Sequence, residues 1–227
     1  KWLPGFFRVF GPGVSYTTYH NAATLKLTDK YINLNPVWFQ FQNGGVLSWY
    51  VIFTKQNLDA SFNPLNVTIN KGRYAYTRHK ISVSSDPSKK ISASLTGNLG
   101  QFYNGGYSSL AAAMSFAPSP YLFLSPNIEY GKLNHVGVSL VSKNVTLYSA
   151  EARIALNPRL QLSGLLQKSN VTNSLGTNVR LSWEFAPLSY FYIVFNNNSV
   201  SQDNSFAQPV KTVDRQTIVK LSYLKQF

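Results

Sequence analysis

The chain has 227 residues, no cysteine, a formal net charge of +13 and few charged side chains. Only 13% of its residues are charged, against about 25% in ordinary soluble domains, while 44% are hydrophobic and 15% aromatic. The lack of cysteine excludes a disulfide scaffold and a cysteine-ligated metal site. No apolar run is long enough for a transmembrane helix, so membrane spanning would require a closed β-barrel.

Alternation of apolar and polar residues predicts strands along the whole chain, with no stretch of helical periodicity. Between residues 90 and 102, for example, Ile91, Ala93 and Leu95 alternate with serine and threonine. In chain order the predicted strands are Phe6–Phe10, Val14–Tyr19, Thr24–Thr28, Tyr31–Gln42, Val46–Lys55, Tyr74–Ser84, Lys90–Phe102, Tyr107–Phe116, Tyr121–Tyr130, Thr146–Leu156, Arg159–Lys168, Thr177–Phe185, Tyr190–Asn196 and Gln216–Phe227.

The connections between these predicted strands alternate in length. Short links at 43–45, 85–88, 117–120, 157–158 and 186–189 alternate with more extended ones at 56–73, 103–106, 131–145, 169–176 and 197–214. Outer-membrane barrels have short periplasmic turns and longer extracellular loops, whereas a soluble Greek-key sandwich has no reason to keep this order. We therefore predict an all-β, antiparallel transmembrane β-barrel of the outer-membrane type, with about 12–14 strands in one domain over residues 1–227.

The last strand, Thr217–Phe227, ends on an aromatic carboxy terminus. Connection parity places that terminus at the periplasmic rim, where the barrel-assembly machinery would recognise the strand. An aromatic girdle near the membrane interface is predicted from residues on the outward register. Its members are Trp183, Phe185, Phe191, Tyr223 and Phe227.

Charged residues on the opposite, inward register are candidates for lining the lumen. They are Glu151, Arg153, Arg180, Glu184 and Lys220. One interpretation is a selectivity lining, and the other is a salt-bridged interior that fills a closed barrel. We favour the salt-bridged interior.

No pattern of residues predicts catalysis or a bound cofactor. His135, near Glu129 and Ser139, has no spacing of a known catalytic motif. Asp203 with the neighbouring asparagines 196–198 and 204 offers oxygen ligands for calcium, but an asparagine run is more commonly a polar loop. We expect no catalytic residue, no metal and no cofactor.

The basic residues are scattered rather than clustered, which argues against nucleic-acid binding. The expected partners are outer-membrane lipids and lipopolysaccharide phosphates, the barrel-assembly machinery and other surface proteins.

Five stretches, in order, carry a resemblance to a known family: Val67–Tyr74, Gly100–Gly106, Leu162–Lys168, Asn178–Pro187, and Asp214–Arg215 leading into Val219–Leu224. Together they resemble the C-terminal barrel domain, of unknown function, of Bacteroidota-type outer-membrane proteins that carry an N-terminal carbohydrate-binding family-9-like module. The resemblance covers about two-thirds of the chain and implies an outer-membrane location, with residues 1–227 as the C-terminal part of a longer protein or a reduced relative.

The family has no established reaction that could be transferred to residues of this chain. The resemblance and the strand pattern together predict a membrane-embedded anchor, pore or structural subunit of a cell-surface system, one that handles glycans or other polymers. The alternatives are an outer-membrane hydrolase with its site on the extracellular rim and a simple solute channel.

Overall fold

The computed structural model describes residues 5–202 and 210–225 of the chain. Within them it has 13 strands and one short 3-10 turn, Pro64–Asn66. The described residues contain no helix with the length and apolar character needed to span a membrane. The strands are β1 Phe7–Phe10, β2 Gly13–His20, β3 Leu27–Phe41, β4 Val46–Leu58, β5 Gly72–Ser84, β6 Ile91–Phe102, β7 Gly105–Ser119, β8 Leu122–Val136, β9 Val141–Asn157, β10 Leu160–Ser169, β11 Ser174–Ala186, β12 Ser189–Gln202 and β13 Val210–Ser222.

All 13 strands belong to one antiparallel sheet in which neighbours in sequence are neighbours in space. The exception is at the start, where β1 and β2 both pair with β3 and so share one position in the sheet. The sheet is therefore twelve strands wide along the path from β1 to β13. Among the described residues no ladder joins β13 to β1 or β2. The predicted all-β class, antiparallel pairing and strand number are confirmed.

The chain divides into two compact units. Unit 1 comprises residues 1–87, 93–112 and 129–145, and unit 2 comprises residues 88–92, 113–128 and 146–227. The strand ladders show which side chains share a face in each unit, because side chains alternate between faces with period two.

In unit 1 the more exposed face of the strands is apolar. Val14 is 72% exposed and Leu99 is 61% exposed, and Ile81 and Leu95 lie on the same face. The opposite face is polar and sheltered, with Thr54 only 2% exposed. This is the reverse of a soluble sheet, whose apolar face is normally buried.

Unit 2 has the same arrangement. Leu156 and Leu221 are 72% and 67% exposed, and Trp183 is exposed on that same face. On the other face Ser182 and Tyr192 are partly buried. An extended exposed apolar surface is typical of proteins that meet a membrane or a large partner.

The most buried apolar residues of unit 1 lie where the connection 59–71 between β4 and β5 folds against the polar face. Val67 and Ile69 are each 1% exposed, and they pack with Leu133 and Val136. A bridge between Phe62 and Ile69 makes this connection a small hairpin of its own. We call residues 59–71 the inner loop.

The structure corrects several predicted boundaries. The segment Thr24–Thr28 is mostly a turn, because the Asn21 side-chain oxygen accepts hydrogen bonds from the amides of Ala23 (2.9 Å) and Thr24 (3.0 Å), and β3 begins only at Leu27. An Asx turn of this kind competes with strand pairing.

The alternation of connection lengths is weaker than predicted. The connection predicted at 131–145 is only 137–140, the one at 103–106 is 103–104 and the one at 169–176 is 170–173. The extended 197–214 connection is also mostly strand, because β12 reaches Gln202 and β13 starts at Val210. The sequence did not predict these strand ends because their side chains are mostly polar. The apolar alternation stops before the hydrogen-bonded ladder does. Only the inner loop matches the predicted long connections within the described residues.

Candidate functional site

The five charged residues predicted to line a lumen lie on one face of unit 2. The ladders place Arg153 opposite Ser163, Ser163 opposite Arg180, Arg180 opposite Val194 and Val194 opposite Ile218. Period-two alternation then puts the remaining members of the set on that same polar face; these are Glu151, Glu184 and Lys220.

Contacts between cations and aromatic rings, rather than ion pairs, hold these arginines. The Arg153 guanidinium lies 5.2 Å from the Phe123 ring centroid, and the Arg180 guanidinium lies 4.6 Å from that of Tyr192. Glu184 instead accepts a hydrogen bond from the Leu188 amide at 3.0 Å, within the turn that joins β11 and β12. In the part of the chain that the structure describes, the two arginines form no ion pair with a carboxylate.

Arg180 and Tyr192 help to line a cavity of about 290 Å³ on the polar face of β11, β12 and β13. Lys220 lies directly opposite Tyr192 in the β12–β13 ladder and contributes a second cation to the lining. Val194 and Ile218 complete the lining and make part of it apolar. We call this cavity the Tyr192 pocket.

A second cavity, of about 180 Å³, is lined by β10, β11 and β12 and lies toward the β10–β11 turn. Its lining is rich in side-chain amides, including Gln167 and Asn198, and the Asn178 amide donates to the Asn196 side-chain oxygen. This amide-lined cavity has donors and acceptors for a polar, uncharged group.

Four of the five aromatic residues predicted as a girdle lie together on the exposed apolar face of unit 2. The rings of Trp183 and Phe185 are 5.9 Å apart, and Phe185 stacks with Tyr223 at 6.5 Å. Phe191 is opposite Trp183 in the β11–β12 ladder. Phe227 lies outside the described residues.

Unit 1 has a hydrogen-bonded network on its polar face that the sequence analysis did not predict. The Gln56 amide nitrogen donates to Asp29 at 2.8 Å and to the Tyr31 hydroxyl at 3.3 Å. The Tyr76 hydroxyl donates to the Gln56 side-chain oxygen at 2.6 Å. Polar residues at alternate positions of Tyr74–Arg78 were the signal that could have predicted it.

Arg78 extends this network along β5, on the same face as Tyr76. Its guanidinium is 5.4 Å from the ring centroid of Tyr76 and 6.0 Å from that of Tyr107, and its buried Nε has no hydrogen-bond partner. Tyr103, in the β6–β7 turn, packs against Tyr76, and burial raises the pKa of its hydroxyl.

Specific polar contacts fix the inner loop to the β8–β9 turn. The Val138 amide donates to the Thr68 carbonyl at 2.9 Å, and the Lys143 ammonium donates to the Leu65 carbonyl at 3.0 Å. Asn104 exchanges two hydrogen bonds with the backbone of Gly137, at 2.9 and 3.0 Å. The loop is thus held by both apolar burial and hydrogen bonds.

On the apolar face of unit 1, two lysines lie directly opposite each other. The β3–β4 ladder pairs Lys30 with Lys55, and Lys30 also lies 5.1 Å from the ring centroid of Tyr16. Like charges directly opposite across strands repel each other, so the pair favours a bound anion.

The structure gives no support for a catalytic or metal site. Glu129 and His135 are on the same strand, β8, and His135, its penultimate residue, has a φ of 52° while its amide donates to the Ser142 hydroxyl at 3.2 Å. No group of metal-ligating side chains exists among the described residues. Asp203 and Asn204, which were considered as oxygen ligands for calcium, lie outside them.

Comparison with known proteins gives no relative: no family model matches, and neither the curated proteins nor the solved structures contain a significant match. The resemblance to the barrel domain of Bacteroidota-type proteins therefore stays a prediction.

Proposed function

We propose that this chain forms a closed β-barrel in a bacterial outer membrane and acts there as a pore for polar solutes. The observation that supports this proposal best is the reversed polarity of both units. Exposed leucine, isoleucine and valine side chains cover one face, and serine, threonine, asparagine and arginine line the other. Lipid favours such an apolar outer surface, while a water-filled interior favours the polar one.

The width of the sheet supports closure. In an antiparallel sheet of twelve positions the first and last strands run in opposite directions, so they can pair antiparallel as they do in bacterial barrels. Closure would also satisfy the backbone groups of both edges, which lipid cannot do.

The lysines and aromatic rings on the apolar faces support one orientation of the proposed barrel in the membrane. Lys30 and Lys55 lie near the end of unit 1 that carries the inner loop, where lipopolysaccharide phosphates would relieve their repulsion. In unit 2 the cluster of Trp183, Phe185 and Tyr223 lies by the tight β11–β12 turn, typical of the periplasmic rim. The carboxy terminus would then be periplasmic.

Within the predicted range of roles, a pore fits better than a hydrolase, because the two cavities on the polar face of unit 2 are lined by amides and cations. A glycan-handling surface system, which the resemblance implies, could use such a barrel as its anchor. Other surface proteins would then dock on its extracellular connections.

Disulfide cross-linking tests closure, because the chain has no cysteine of its own. Thr17 on β2 lies on the polar face opposite Tyr31, and on β13 that face carries Ile218, Lys220 and Ser222. Cysteine at position 17 is combined in turn with cysteine at 218, 220 or 222. If the sheet closes, the pair whose two positions are neighbours across the closed edge should form a disulfide in the refolded protein. The control pairs position 17 with cysteine at 219, which faces the other way. No cross-link in any pair, or one with 219 alone, would exclude closure.

Conductance tests the role. The refolded chain in planar bilayers should carry steady ionic current, and absence of current at either polarity would refute a pore.

A further inference from the structure

We propose that the Tyr192 pocket binds a small organic anion with an apolar ring, of which benzoate is the simplest probe. This inference rests on the proposed function, since it names the class of solute that the pore would hold. The pocket lies entirely on β11, β12 and β13 of unit 2.

Two cations and one aromatic ring line this pocket. Arg180 covers Tyr192 at 4.6 Å, and Lys220 is its neighbour across the β12–β13 ladder. Neither cation is in an ion pair with any carboxylate that the structure describes. Arginine offers a planar pair of donors that matches a carboxylate, and lysine adds a point charge beside it.

The nearest carboxylates on this face do not neutralise the pair. Glu184 is four residues along β11 from Arg180 and already accepts the Leu188 amide. Glu151 lies on β9, two strands from Arg180 in the sheet. Asp214 is on β13, opposite Asn198 and four residues from Ile218. The local charge at Tyr192 is therefore positive.

The remaining lining selects for an apolar body on the anion. Val194 and Ile218 lie directly opposite each other and contribute aliphatic surface. The ring of Tyr190 stacks on that of Tyr192 at 5.6 Å, with an interplanar angle of 13°, and so fixes the position of the Tyr192 ring. A volume of about 290 Å³ accommodates a benzoate-sized molecule with bound water. Chloride or acetate would leave the apolar part of the lining without contact.

Two readouts test this inference on the full chain. In planar bilayers benzoate should reduce the chloride current at concentrations at which acetate and benzyl alcohol do not. In zwitterionic detergent, saturation-transfer NMR should detect benzoate on the refolded chain without requiring a current. Arg180→Gln and Lys220→Gln should each weaken benzoate binding about tenfold or more, because each removes a charge-assisted contact.

Lys168→Gln is the matched control. It removes one positive charge, as the pocket variants do, but Lys168 lies on the apolar face of β10, opposite to the face that carries the pocket. Arg180→Lys, which keeps the charge, should retain part of the affinity and show that loss in Arg180→Gln is not loss of folding. Equal binding of benzoate, acetate and benzyl alcohol would overturn the inference. So would unchanged affinity in both glutamine variants. Benzoate binding without any current would instead refute the pore and leave the pocket intact.

Discussion

The inner loop offers a quantitative test of the packing in unit 1 through the substitution Ile69→Ala. Ile69 is 1% exposed and packs in the cluster that contains Leu133 and Val136. The substitution removes the equivalent of three methylene groups, a transfer cost of ~2.4 kcal/mol at about 0.8 kcal/mol each. The cavity left behind raises the cost further, within the range of about 2–5 kcal/mol measured for such changes.

This cost should appear as local opening of the loop rather than as loss of the whole sheet. The Ile69 amide donates to the Phe62 carbonyl at 2.9 Å, and the Val138 amide donates to the Thr68 carbonyl at 2.9 Å. A loss of ~2.4 kcal/mol increases the open population by roughly fiftyfold. Hydrogen exchange of these two amides, followed by NMR or mass spectrometry, should accelerate by that factor.

Leu65→Ala provides the matched control in the same loop. Leu65 is 40% exposed, so its truncation removes less buried surface and should change exchange by less than about tenfold. Unchanged protection in Ile69→Ala, or equal acceleration in both variants, would refute the view that burial of Ile69 holds the loop.

Two further substitutions test local features of unit 1. Gly137→Ala should lower the free energy of unfolding by about 1–3 kcal/mol in a urea titration, because φ is +79° and a Cβ would lie 2.5 Å from the Thr68 carbonyl oxygen. Gly13→Ala, where a Cβ would have no neighbour within 4 Å, should leave it nearly unchanged, and equal losses would argue against the contact. Lys30→Gln should raise stability by about 0.2–1 kcal/mol in zwitterionic detergent, because it relieves repulsion from Lys55, and should lose that gain when lipopolysaccharide is added. A gain that persists with lipopolysaccharide would show that the pair binds no phosphate.

Period-two alternation predicted most strands and grouped the charged candidates on one face, because side-chain direction in a strand depends only on sequence position. Arg180 and Glu184 share a face with Lys220, as expected, and Trp183 lies on the opposite one. Alternation alone cannot show which face is sheltered, since a soluble sheet and a membrane sheet give the same pattern. That information comes from exposure, such as 61% for Leu99 against 2% for Thr54.

Contacts between residues far apart in the chain were not predictable from the sequence. Asp29, Gln56 and Tyr76 form one network only because the register of β3, β4 and β5 places them side by side. The inner loop was predicted only as part of the long connection 56–73, since Val67 and Ile69 are too few to show a periodic pattern. Their burial depends on Leu133 and Val136, which come from another part of the chain.

Strand length connects these features to the proposed membrane placement. A tilted strand needs about 9–11 residues to cross a bilayer, but β9 has 17. Its apolar face runs from Leu156 through Ile154 to Tyr148. In the β9–β10 ladder Tyr148 pairs with Lys168. Beyond that point the same register carries threonine and asparagine.

Tyrosine and lysine prefer the interface, where an aromatic or aliphatic body meets lipid and a polar tip meets water. In unit 1 the apolar register of β4 likewise passes from Phe53 to Lys55. On the proposed placement the hydrocarbon layer would end at these lysines. The strand residues past them would then stand outside the bilayer, together with the turns at that end, and the inner loop would lie at the extracellular mouth of the pore. On that placement, polar residues within 131–145 would form strand rather than loop because they extend a ladder beyond the lipid.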